Sequence, residues 1–80
     1  MEFNKKRELY KLGIRIRKLR EEKKYSQETL SFKSGLHRNY ISSLELAEKN
    51  PSYVTLLKLS NALSINVRDI IPPDDLESIK

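Results

Sequence analysis

An all-α fold of five short helices is predicted by three features of this sequence. Apolar residues recur at three- and four-residue steps along most of it. Ser26 and Gly35 stand where one helix would begin and end, and Pro72–Pro73 closes the last apolar stretch. Eighty residues form one domain, because a chain this short cannot bury two separate cores. A second subunit would add to its stability. The folded core is expected over about residues 8–71, with residues 72–80 as an acidic tail.

The first helix is read from Glu8 to Lys24, where Leu9, Leu12, Ile16 and Leu19 make one apolar face between arginines and lysines. Ser26 is the N-cap of the second, and Glu28 in its first turn suits the positive end of the helix dipole. That helix runs to about Ser34. Gly35 then reverses the chain, since glycine takes the left-handed conformation with least strain. A third helix follows from His37 to Leu46, its apolar stripe of Leu36, Ile41 and Leu44 lying beside an unusually polar face. Lys49-Asn50-Pro51-Ser52 is a loop, and Val54, Leu57, Leu59, Ala62 and Leu63 mark a fourth helix that is mostly core. Asn66 to Ile71 fit a short fifth helix.

Composition narrows the function classes. There is no cysteine and a single histidine, His37, so neither a thiolate nor a multi-histidine metal site can form, and no cofactor is expected. No apolar run approaches the roughly 20 residues that span a bilayer. Met1 to Tyr10 is too charged for a signal peptide, so a cytoplasmic protein is expected. An enzyme lacks a centre, with no phosphate-cradling glycine loop and no base partnered to a nucleophile. The net charge of +5 and the pI near 9.6 suggest a polyanionic partner. Residues 1–24 carry ten Lys or Arg against four Glu, a net +6, while residues 68–80 are net −2. The same lysines would also serve simply to solvate a helix.

Two short helices joined by a glycine turn, the second with a polar face, are the outline of a helix-turn-helix. The string Ser26-Gln27-Glu28-Thr29-Leu30, Gly35-Leu36, Tyr40-Ile41-Ser42-Ser43-Leu44-Glu45 and Asn50-Pro51-Ser52 sharpens it. In these residues the chain resembles the lambda-repressor-like, or XRE/Cro-type, DNA-binding domains over roughly residues 8–71. Phe32 to Ser42 is most similar to the controller proteins of restriction-modification systems. The resemblance implies a five-helix domain that binds duplex DNA and regulates transcription.

Arg38 and Asn39 open the third helix, where a recognition helix reaches base edges; arginine suits guanine and asparagine suits adenine. A phosphate contact alone is the plainer role for Arg38. Ser42 and Ser43 lie one turn on, where short hydroxyl side chains allow close approach to the groove, or are plain surface serines. Gln27, at the start of the second helix, would hold a phosphate with the free N–H groups there, or simply be polar. Following the controller resemblance, Tyr40 contacts a phosphate or a thymine methyl; otherwise it packs on the second helix. Lys49 and Asn50 resemble positions beside the DNA backbone, though Lys49 also reads as a freely solvated lysine. His37 reads as a polar helix-start residue.

The family pattern also pairs Glu45 with Arg20, an ion pair tying the third helix to the first. The chain departs from the pattern in two places. Leu46-Ala47-Glu48 replaces the usual polar residue and glycine, so the third helix is expected to run slightly longer. Ser31 and Ser34 replace Ala and an aliphatic residue, so looser packing of the second helix is expected.

With an enzyme left without a centre, two functions compete. A dimeric regulator would read a palindromic operator with half-sites about 34 Å apart. Val67, Ile70 and Ile71 would form its dimer seam or close the monomer core. A restriction-modification controller acting on its own promoter heads this class, with an antitoxin or a phage-type repressor as rivals. A protein-interaction module would instead need an apolar patch where Arg38, Asn39, Ser42 and Ser43 stand.

Overall fold

The structure, a computed structural model, describes residues 3–73; most of the expected acidic tail, residues 74–80, lies outside the described residues. Helices α1 (Lys5–Glu22), α2 (Gln27–Ser34), α3 (Arg38–Glu45) and α4 (Tyr53–Ala62) are followed by a single 3-10 turn, Val67–Asp69. No strand occurs among the described residues. The predicted fifth helix is thus only that turn. Asn66 caps it by accepting the Arg68 N–H, and two prolines follow directly after Ile71.

Each helix starts on a side chain that accepts a free N–H. Asn4 takes that of Arg7, Ser26 that of Thr29, His37 that of Asn39 and Ser52 that of Thr55. Asn4 therefore moves the start of α1 three residues ahead of Glu8.

Three of the four helix ends share one closure. At α1, α3 and α4 the N–H of the third residue past the helix (Tyr25, Glu48, Ile65) returns to the carbonyl of Arg20, Ser43 or Ser60. The residue before each (Lys24, Ala47, Ser64) is left-handed, with φ of 62°, 64° and 57°. This is a Schellman closure made without glycine. α2 ends instead on Gly35, at φ 76°, with one hydrogen bond back to Ser31. Consequently α3 does not run on past Glu45. Ala47 takes the conformation usually given to glycine and ends the helix despite its own helix propensity.

The core gathers Ile16 and Leu19 of α1, Leu30 of α2, Ile41 and Leu44 of α3, and Leu59, Ala62 and Leu63 of α4, closed by Ile70. Ile70 is 0% exposed. It belongs to the monomer and is unavailable to a dimer seam, since packing it there gains about 2 kcal/mol that exposure would forfeit. Arg15 holds the 3-10 turn against α1 through a 2.9 Å hydrogen bond to the Asp69 carbonyl.

The end of α3 rests directly on the backbone of α1. A Cβ on Gly13 would sit 2.7 Å from the carbonyl oxygens of both Leu44 and Glu45. Glycine is needed there for close approach, not for its freedom of φ.

Ser31 and Ser34 stitch the turn where looser packing was expected. Ser31 Oγ donates to the Leu36 carbonyl at 2.6 Å, and the Leu36 N–H donates to Ser34 Oγ at 3.2 Å. Hydroxyls thus supply to the turn what larger side chains would supply to the core.

Two glycine-related substitutions should shift thermal unfolding in opposite directions. Gly13→Ala should destabilise by about 2 kcal/mol or more, because backbone carbonyls cannot step aside. Ala47→Gly should stabilise by about 0.5 to 1 kcal/mol, as relief of left-handed strain outweighs the added chain entropy. Circular dichroism melting of both variants checks the pair.

Candidate nucleic-acid interface

Successive residues of an α-helix turn by about 100°, which sorts the eight residues of α3 into two sides. Arg38, Ser42, Asn39 and Ser43 fall in that angular order within an arc of about 140°, and Ile41, Leu44, Tyr40 and Glu45 occupy the rest. Burial agrees with this division. Ile41 and Leu44 are in the core, Arg38 and Asn39 are exposed, and the short Ser42, between those two, and Ser43, at one edge of the arc, are half-buried. The four residues expected to face base edges therefore do share one outward ridge.

α3 is held from behind by a buried ion pair. Arg20 Nε donates to Glu45 Oε2 at 2.7 Å and Nη2 to Oε1 at 3.1 Å, a two-pronged contact in which the side chains are 11% and 4% exposed. A third guanidinium nitrogen, Nη1, donates to the Tyr25 carbonyl at 2.8 Å. The Glu45 hydrogen bond raises the Arg20 pKa further above its ordinary range, outweighing the cost of burial. A raised pKa contributes stability that is lost only as pH rises through it, so the bridge keeps its cationic half at every pH where the protein is handled.

Gln27 also belongs to this network. Its Nε2 donates to Glu45 Oε1 at 3.1 Å, so one amide hydrogen is committed to the carboxylate and the other remains for an outside acceptor. Sequence reasoning gave Gln27 a phosphate role and missed this contact. No local signal marked it, because Arg20 and Gln27 lie on different helices and reach the same carboxylate only in the fold.

Two clefts divide the remaining expected residues. One, of about 350 Å³, is lined by His37, Asn39, Tyr40, Ser43 and Lys49, so it brings together two expected base-edge residues and two expected backbone residues. Tyr40 lines it while also packing against the core. Asn50 lines a separate groove with Phe3, Leu9, Leu12, Ile71 and Pro72, on the α1 side of the molecule. Val67 is half-buried and Ile71 is 52% exposed, so both remain accessible where Ile70 is not.

A family model described as helix-turn-helix matches residues 16–70, from the middle of α1 to the buried Ile70. The chain belongs to the helix-turn-helix family, of XRE type. Among solved helix-turn-helix proteins, the restriction-modification controller protein C.AhdI from Aeromonas hydrophila superposes with a TM-score of 0.76. It is 48% identical, covering 78% of this chain and 94% of that one. Control protein C.BamHI of Bacillus amyloliquefaciens is 38% identical over 60 residues, 74% of each chain. The immunity repressor protein of Bacillus phage phi105 is 37% identical over 65 residues, covering 81% of this chain but only 45% of the repressor.

Removing one half of the Arg20–Glu45 pair leaves a buried charge uncompensated. Arg20→Ala should therefore lower stability by about 3 to 5 kcal/mol, read by urea unfolding. A loss below about 1 kcal/mol would show that water or Gln27 satisfies Glu45 alone.

Proposed function

We propose that this protein is a sequence-specific DNA-binding transcriptional regulator, a restriction-modification controller that binds its own upstream operator as a dimer and acts in the cytoplasm. The observation that carries the reading is the outward ridge of α3. Arg38, Asn39, Ser42 and Ser43 are presented together, free of the core, on a helix whose far end is fixed by Glu45. Arg38 reads guanine and Asn39 adenine in the major groove, each good two-pronged contact being worth about 1 to 3 kcal/mol of discrimination. Gln27, Tyr40, Lys49 and Asn50 hold the DNA backbone on either side, positioning the ridge without reading sequence. C.AhdI is 48% identical against 37% for the phage repressor, which favours the controller reading over a phage repressor.

Two subunits place two α3 helices in successive major grooves, which asks for an operator with half-sites about 34 Å apart. Val67 and Ile71 remain the candidates for the seam. The exposed apolar residues Tyr53, Val54 and Leu57 of α4 extend the apolar surface that a partner subunit would cover.

Fluorescence anisotropy with the upstream fragment and an unrelated duplex, across salt concentrations, tests this reading. The wild-type protein should bind the upstream DNA far more tightly. Arg38→Ala should remove tenfold or more of that preference while changing affinity for unrelated DNA little. Sedimentation of the complex should show two chains per operator. Equal affinity for both duplexes overturns sequence reading, and one chain per operator overturns the dimer.

A further inference from the structure

We propose that His37 is a DNA-binding residue, donating a hydrogen bond from Nε2 to a backbone phosphate beside the recognition ridge; this rests on the DNA-binding reading above and deepens it. Three observations combine. His37 is exposed and lines the cleft that also holds Asn39, Tyr40, Ser43 and Lys49. Its Nδ1 accepts the Asn39 N–H at 3.0 Å, capping α3. Its neighbours in that cleft bring a cation, a phenol, an amide and a hydroxyl but no carboxylate, a set of groups suited to an anion.

The cap determines what the ring offers. A neutral imidazole carries one hydrogen, and a nitrogen that accepts from a backbone N–H cannot hold it. The hydrogen is therefore on Nε2, on the side of the ring away from the helix end. A serine, threonine or aspartate would cap the helix equally well, but the cap itself would leave no N–H directed outward. With histidine, one side chain starts the recognition helix and presents a donor at its edge. Lys49, from the loop after α3, supplies the formal charge for the same phosphate.

A neutral donor and a cation leave different signatures. Neutralising a phosphate with Lys49 releases condensed counterions, so Lys49→Met should lower the slope of log affinity against log salt by about one. His37 adds a hydrogen bond without releasing a counterion, so its loss should lower affinity at constant slope. A phosphate carries no sequence, so the loss should be alike on operator and unrelated DNA.

The test uses the full-length protein with His37→Asn, which keeps a capping acceptor and shortens the donor's reach, and His37→Asp, which caps but repels phosphate. Anisotropy titrations on the upstream fragment and an unrelated duplex are read beside melting curves. His37→Asn should melt like wild type and bind both duplexes about tenfold more weakly at unchanged salt slope, with His37→Asp weaker still. Undiminished binding by His37→Asn overturns the proposal. Weakening confined to the upstream fragment overturns the phosphate assignment and makes His37 a base reader. A wild-type protein that binds neither duplex overturns the DNA-binding reading itself, and this inference with it.

Discussion

The seating of α3 on α1 is the constraint on which the rest of the molecule depends. It is fixed twice, by backbone and by charge. Gly13 lets the two helices meet so closely that no Cβ fits between them, and Arg20 grips Glu45 with two nitrogens while a third holds the Tyr25 carbonyl. Neither contact alone would orient α3. Close approach without the ion pair would leave a buried carboxylate, whose desolvation cost is several kcal/mol. The ion pair without the glycine could not form at that spacing. With Ile41 and Leu44 packed inward and Glu45 tied to Arg20, the helical period leaves Arg38, Asn39, Ser42 and Ser43 on the outward arc.

Local signals in the sequence located most of this architecture. Ser26 and Gly35 bound α2 because capping and left-handed turns depend on one residue's own chemistry, and the apolar steps Leu9, Leu12, Ile16 and Leu19 identify α1 for the same reason. Tertiary context decided what was not legible. Gly13 is a lone glycine in a helical pattern, and only the proximity of the Leu44 and Glu45 carbonyls gives it meaning. Ala47 has good helix propensity, yet it ends α3 because the chain must turn there to reach the loop at Lys49. Ile70 was equally consistent with a core and a seam until the position of the 3-10 turn placed it inside.

The candidate site divides along the same line. Its outward ridge follows from periodicity alone, so the sequence suffices to group those four residues. The network behind it does not, since Gln27 and Glu45 are 18 residues apart and meet only when α2 lies across the end of α3. The Arg20–Glu45 pairing was legible through family resemblance, not through spacing. The grouping of His37 with Lys49 likewise appears only after the loop beyond α3 folds back toward the start of that helix.

The serine-stitched turn has a consequence for how misfit is shared between protein and DNA. Ser31 and Ser34 fasten the turn to both α2 and Leu36, and Glu45 fastens the other end of α3, leaving the helix little freedom to roll or slide. A helix held this firmly adjusts little to a groove that is slightly too wide. The duplex must bend or twist instead, at an energetic cost set by its own base steps. Base pairs that no side chain touches would then influence which sites are occupied, so mechanical compliance of the operator becomes a second layer of selectivity.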